Sequence, residues 1–348
     1  MAIFIEVSRP QIFIVKQTPG AGRGAFATQD ITAGTTIFIA DDLHAHIILR
    51  EYRGEVCWEC FAYDRGRKLP VRDAERGLTF CSTECEESWK QQHDKVCLDA
   101  WEEVEGLLRS GGSKKEPPFK ASKPTAAEVE TKWRKTEQSA AAIVKFRLGL
   151  KPASMPGKAT ADSGAQAFKN ALGQPRSADA LGFQLRALLA RYNHPDRWPA
   201  VLALAEETIP YWDTSELERD LRAYLHLACV LPEALLPLVT PETLRTVKTR
   251  EVHNSFGIRS LDDEGSEFFG FGVWPSASYF NHCCRPNVSK NRVGRTWTFT
   301  AKVDVSAGEE LNISYLGGDE ATLSRPERQE RLRKVWGFDC ACSHCTSQ

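Results

Sequence analysis

The chain closes on Phe338-Asp339-Cys340-Ala341-Cys342-Ser343-His344-Cys345-Thr346-Ser347-Gln348, and its Cys340-x-Cys342-x2-Cys345 run constrains everything upstream. Three thiols at that spacing are three ligands of a structural zinc, which takes four in a tetrahedron. The tail holds no fourth cysteine, so a residue distant in sequence must complete the cage. A terminal segment that would otherwise fray is then tied to the interior of the fold.

The other cysteines follow the same logic. Of eleven, all but Cys229 fall in three stretches, 57–97, 283–284 and 340–345. Such grouping reads as metal binding and not as a disulfide framework. Cys57-x2-Cys60 and Cys81-x3-Cys85, separated by 20 residues, write one complete four-cysteine site. His93 and Cys97 follow as half of a second site, since 61–80 contains no Cys or His. Asp64 or Asp73 would have to help if a further zinc bound there. Cys229 lies on the apolar face of a helical pattern and reads as a small core hydrophobe.

At 348 residues and 42% apolar, the chain can bury one large core or two modest ones. A net charge of −1 argues against a global electrostatic match to nucleic acid or anionic lipid. MAIFIEVSRPQIFIVK has no positive leader, and no uncharged apolar run reaches membrane-spanning length. The expectation is an intracellular protein of the nucleus, the cytoplasm or both, with no membrane partner.

Along the chain, IFIEV, QIFIV and TTIFIA over residues 3–40 read as short strands. Between them Gly20-Ala21-Gly22-Arg23-Gly24 has no helical pattern after it, so a dinucleotide-binding unit is not expected. Residues 111–160 carry eleven Lys+Arg against four Asp+Glu, which reads as a solvated basic stretch with a helix over 126–150. A nucleic-acid-touching arm is the sharper reading of the same residues. From 178 to 238 apolar residues recur at three- and four-residue spacing, the mark of packed helices.

Three strings then stand together: Tyr279-Phe280-Asn281-His282-Cys283-Cys284-Arg285-Pro286-Asn287, the GEELNISY segment ending at Tyr315, and the terminal cysteine run. Together they resemble a SET-domain protein-lysine methyltransferase. The FCSTECEESWKQQHDKVC segment resembles half of a MYND zinc module, so the resemblance is to the SET-and-MYND type, in a short, fungal-like form. It implies an α+β fold: small twisted sheets with an inserted, degenerate MYND-like module, a helical insert and a zinc-binding post-SET tail. The implied segments are 1–50 and 250–320 for the SET core, 51–100 for the zinc module, 101–249 for linker and helical insert, and 321–348 for the post-SET segment. Longer relatives continue into a helical-repeat domain where this sequence ends, which implies a more open peptide groove.

The resemblance also implies roles. Cys284 becomes the fourth ligand beside Cys340, Cys342 and Cys345. Two zinc ions are expected, the other on Cys57, Cys60, Cys81 and Cys85, with a third if His93 and Cys97 find partners. Tyr315, at the tip of a strand, is the implied catalytic residue; its plain alternative is a buried aromatic. Arg23, Gly24, Asn254, Ser278, Asn281, His282, Tyr315 and Phe338 match positions that bind S-adenosyl-L-methionine. Cys283 replaces a serine common in the family. The tail is expected to cross the Asn281–Asn287 segment by a threading rare among folds.

Methyl transfer to lysine needs a neutral amine, whereas free lysine titrates near ~10.4. An apolar channel disfavours the ammonium. Phe268, Phe269, Phe271, Trp274, Tyr279 and Phe280 are candidate walls, though some must be core. The acidic residues Asp262, Asp263, Glu264 and Glu267 read as a lure for basic, lysine-bearing protein segments such as histone tails, or as an ordinary solvated loop. Two readings from other classes stand beside the enzyme: an inactive scaffold binding partners through its zinc module, and a zinc protein binding nucleic acid through 111–160.

Overall fold

In the computed structural model the described residues are 12–18, 20–111, 122–149, 159–261, 267–317 and 322–346. In chain order the strands and helices are β1 (Phe13–Thr18), β2 (Gly22–Ala27), β3 (Thr36–Ala40), β4 (Ala45–Ile48), β5 (Val71–Asp73), β6 (Leu78–Phe80), α1 (Thr83–Gln91), α2 (Lys95–Ser110), α3 (Ala126–Arg147), α4 (Ala159–Leu172), α5 (Ala178–Asn193), α6 (Trp198–Leu202), α7 (Thr214–Val230), α8 (Pro241–Asn254), β7 (Ser255–Arg259), β8 (Phe268–Val273), β9 (Val288–Val293), β10 (Thr296–Ala301), α9 (Arg325–Trp336) and α10 (Ser343–Thr346). The class is α+β, with helices packed beside small sheets.

The chain divides into two compact units. The first comprises Met1–Leu43, His253–Ser255 and Val273–Gln348; the second comprises His44–Val252 and Phe256–Gly272. The dividing points fall inside the expected 1–50 and 250–320 segments, and the 51–100 module lies wholly in the second unit.

In the first unit, β1 and β2 form an antiparallel hairpin in which Thr18 faces Gly22. The GRGAFA string is thus a strand. A three-stranded sheet is ordered β3-β10-β9. The TWTFTA sequence of β10 alternates, burying Trp297, Phe299 and Ala301, as a half-buried strand should. Phe299 stacks on Phe280 at 4.4 Å, and Phe13 meets Phe38 edge-on at 5.5 Å. These rings form a compact aromatic core. The segment IFIEV lies outside the described residues.

The second unit holds the β4-β8-β7 sheet and the helices α1 to α7. Strands β4 and β8 approach so closely that a Cβ on Gly270 would strike the Ile47 carbonyl oxygen. Phe183 and Ala187 of α5 pack with Ala45, Ile47, Trp198, Val201 and Val247, and Phe271 leans on the cluster.

The basic stretch is corrected over its helical part. Helix α3 opens with a Thr125–Glu128 capping box and buries Val129, Trp133, Ala140 and Ile143. Trp133 donates to the Tyr211 hydroxyl at 3.0 Å and stacks on Tyr224, while Lys132 is paired with Glu218. The charge excess concealed an apolar stripe, and burial of that stripe decides the packing. Residues 112–121 and 150–158 lie outside the described set. Cys229 is buried with its thiol toward the Phe168 carbonyl. Among the described residues no helix is long and apolar enough to cross a membrane.

Candidate active site

Two groups of four cysteines are brought together, each with all sulfur atoms within 4.8 Å of one another: Cys57, Cys60, Cys81 and Cys85 in the second unit, and Cys284, Cys340, Cys342 and Cys345 in the first. Four thiols at such spacing are a donor set that suits zinc.

The first group is built locally. The Trp58 amide donates to Thr79 and the Cys57 amide to Ala62, clamping the Cys57–Cys60 turn against β6. Ser82 caps α1 by accepting from the Cys85 amide at 3.3 Å, which sets Cys85 in the first helical turn beside Cys81. Sulfur separations are 3.6 Å for Cys60–Cys81 and 3.5 Å for Cys81–Cys85. The Cys60 thiol beside Cys57 pulls the Cys57 pKa down to about 5. The same contact pushes the Cys60 thiol up, and burial pushes Cys85 up to about 11.

His93 and Cys97 have other work. The His93 ring stacks on Trp89 at 4.3 Å, with Nδ1 bonded to the Trp89 carbonyl at 2.7 Å. Cys97 is buried and donates to Asn193 Oδ1 at 3.3 Å, and burial pushes its pKa up to about 12. Asp64 pairs with Arg67 and Asp73 with Arg76. Among the described residues no third ligand group forms. His93 Nδ1, Cys97 Sγ, Asp64 and Asp73 each have a local partner.

The second group is assembled from afar. Cys284 lies 3.8 Å from Cys340 and 3.5 Å from Cys345, sulfur to sulfur. The Cys345 amide donates to the Cys342 carbonyl, tightening the terminal turn. These thiols share one small core with Leu316, Leu332, Tyr315, Trp336 and Phe338. The Tyr315 ring is 4.7 Å from Trp336 and 6.3 Å, edge-on, from Phe338.

Tyr315 is held at two points. Its hydroxyl donates to the Phe280 carbonyl at 3.0 Å, and its amide donates to His282 Nδ1 at 3.1 Å. His282 Nε2 faces the Cys284 sulfur at 3.3 Å, so the imidazole links the tyrosine to the thiol group. Burial, and secondarily Glu310, push the phenol well above its ordinary pKa. The strand-tip expectation needs correction: Ile313 makes only an isolated parallel bridge to His282, and Tyr315 lies in the bend beyond. The segment bonds alternately to two neighbours, Leu311 to Ala25 and Ile313 to Asn281, so no continuous ladder develops.

Asn281 Nδ2 donates to the Arg23 carbonyl at 3.2 Å and to Glu310 Oε1 at 2.8 Å. Gly24 makes room for this, since a Cβ there would collide with both Glu310 and Asn281. The Arg23 guanidinium lies over the Tyr279 ring at 5.1 Å. Ser278 Oγ is spent on the Trp274 and Asn254 carbonyls, at 3.0 and 3.3 Å. Asn254 is buried at the end of α8. The Phe338 ring lies 6.1 Å from that of His282. Glu310 was not among the expected residues: in Gly308-Glu309-Glu310-Leu311 nothing local separates it from its neighbour Glu309.

The aromatic walls sort themselves. Phe269, Trp274 and Phe280 are fully buried and belong to the cores, and Phe271 packs on Phe183. Tyr279 is buried, while Phe268 is exposed, with Arg259 over its ring. Glu267 accepts from the Tyr63 hydroxyl at 2.8 Å, whereas Asp262, Asp263 and Glu264 lie outside the described residues.

Comparison with known proteins agrees with this geometry. A potential protein lysine methyltransferase, SET6 of Saccharomyces cerevisiae, is 25% identical over 381 residues, covering 97% of this chain and 95% of that protein. The histone-lysine N-methyltransferase ASHR2 of Arabidopsis thaliana is 29% identical over 181 residues, 47% of this chain and 44% of its own length. The human histone-lysine N-methyltransferase SMYD3 is 38% identical over 95 residues, 27% of this chain and 21% of that one. The SET domain family model matches residues 22–316, a span from the Gly22–Ala27 strand to the residue after Tyr315 that takes in Arg23, Asn281, His282 and Glu310. The chain belongs to the SET-domain family.

Proposed function

We propose that this chain is an S-adenosylmethionine-dependent protein-lysine N-methyltransferase of the SET-and-MYND kind, with Tyr315 at the reacting centre. The observation that carries this reading is the convergence of Tyr315, His282, Phe338 and the Cys284 group in one small core. The donor chemistry suits the cofactor. Asn281 and Glu310 present oxygens to a cationic group, and the Phe338 ring beside His282 supplies an aromatic face.

When bound, S-adenosylmethionine supplies a methyl group on a cationic sulfonium. The protein's part is to align and to desolvate. Tyr315 is neutral at physiological pH, so its hydroxyl positions and does not abstract a proton. The phenol proton is engaged by the Phe280 carbonyl, which leaves the oxygen lone pairs for polarised groups at the reacting centre. His282 and Arg23 fix the backbone around that hydroxyl and around Asn281.

Two zinc ions complete this reading, one on Cys57, Cys60, Cys81 and Cys85 and one on Cys284, Cys340, Cys342 and Cys345. The substrate is a protein with an accessible lysine, a histone or another. Incubating purified protein with radiolabelled cofactor and a host extract tests the activity. Labelled bands should appear with the wild type and vanish with Tyr315→Phe; no label in either sinks the proposal. Elemental analysis should return about two zinc ions per chain.

A further inference from the structure

We propose that Glu310 is a positioning residue that turns the Asn281 amide into a pure acceptor, and so selects a cofactor with a free ammonium group. This rests on the S-adenosylmethionine reading above and deepens it.

A primary amide offers two N–H donors and one acceptor oxygen, and its orientation is set by its partners. Both partners of Asn281 Nδ2 are acceptors: the Arg23 carbonyl at 3.2 Å and Glu310 Oε1 at 2.8 Å. Neither could bond to the amide if it were flipped. The donors are thereby spent, and Oδ1, which has no protein partner among the described residues, is what remains for a ligand. Oδ1 and the Glu310 carboxylate form a small acceptor cluster. No lysine or arginine pairs with Glu310 among the described residues, so the cluster is complementary to a cation. The same pair packs against the backbone, where a Cβ on Gly24 would displace both Glu310 Oε1 and Asn281 Nδ2. The Glu310 charge also adds, after burial, to the upward push on the Tyr315 phenol.

The test compares two adenosine ligands by calorimetry: S-adenosylmethionine, and methylthioadenosine, which lacks the amino-acid end. Glu310→Ala should weaken S-adenosylmethionine on the order of 10- to 100-fold, the range for loss of an orienting outer partner. Methylthioadenosine affinity should hold. Glu310→Gln, which keeps an acceptor without the charge, should recover part of the loss. Thermal melts verify that each variant is folded. Equal weakening of both ligands, or of neither, overturns the inference. A Gln variant no better than the Ala variant also overturns it, by assigning the effect to charge alone. A wild type that binds methylthioadenosine but not S-adenosylmethionine, or neither, overturns the cofactor reading itself and this inference with it.

Discussion

The two four-cysteine groups use the same ligands and are made in opposite ways. Cys57, Cys60, Cys81 and Cys85 come from two neighbouring turns, and three of the four are half-buried. Cys284 must meet Cys340 across 56 residues of sequence, and three of that group are buried. Closing the longer loop costs more chain entropy, so a bond from a metal has more to offset there. The local group organises a small module around Trp58, Trp89 and Trp101. The distant group builds the wall on which Tyr315 and Phe338 rest. The lesson is that a ligand group drawn from neighbouring turns organises a module, whereas one that spans the chain ties the tail to the Tyr315 core.

That contrast breaks most readily at single ligands. Cys340→Ser should remove one zinc, release the tail and reduce methyl transfer to background, since a structural zinc supplies about 10–16 kcal/mol of folding free energy. Cys81→Ser should also remove one zinc but leave cofactor affinity largely intact. Metal analysis with calorimetry on both variants decides, and equal loss of cofactor binding would dissolve the distinction.

Within the wall, Tyr315→Phe should slow single-turnover methylation by about 100-fold, as for loss of one oriented hydrogen bond at a reacting centre. Cofactor affinity should be unchanged. A normal rate would remove the hydroxyl from the mechanism.

The second unit carries an acid sensitivity separable from its thiols. Burial lowers the His226 pKa from 6.5 to about 4, only partly offset by the Ala171 carbonyl. The unfolded chain therefore takes up this proton first as pH falls. The contribution is complete above the unfolded value and is lost on descending through the folded one, about 3 kcal/mol in all. His226→Gln should flatten the urea midpoint between pH 6.5 and 4 relative to wild type. Asp220, raised to about 7 by burial, has the opposite sign but is common to both proteins and cancels. An unaltered slope would assign the acid lability to protonation of the cages.

The smallest effect is kinetic. A colorimetric chelator should draw zinc in two phases, first from the more exposed Cys57 group and then from the Cys284 group. Activity should decay with the second phase, and decay with the first would reverse the roles.

Much of the site was legible from spacing. The two ligand groups and the sulfur-to-tail pairing of Cys284 followed from cysteine spacing and family resemblance, because metal ligands must come in sets. The helices of 178–238 followed from apolar periodicity. The basic stretch misled because charge reports on a helix's outer face, while Trp133 and Ile143 decide its inner one. His93 and Cys97 read as half of a site because their spacing is ligand-like and no second pair is written in the sequence. Their Trp89 and Asn193 partners appear only once α1, α2 and α5 are folded.

Residue order alone determined which atoms could bind metal, which segments alternate as strands, and which strings the family shares. Tertiary structure alone decided that Glu310, and not Glu309, reaches Asn281, that His282 joins Tyr315 to Cys284, and that Phe269, Trp274 and Phe280 are core. The reason is physical. Ligand sets and periodicity are local properties of side-chain chemistry. A hydrogen bond between groups such as Asn281 and Glu310 depends on two segments meeting within 3 Å, and that is set by the packing of the whole unit.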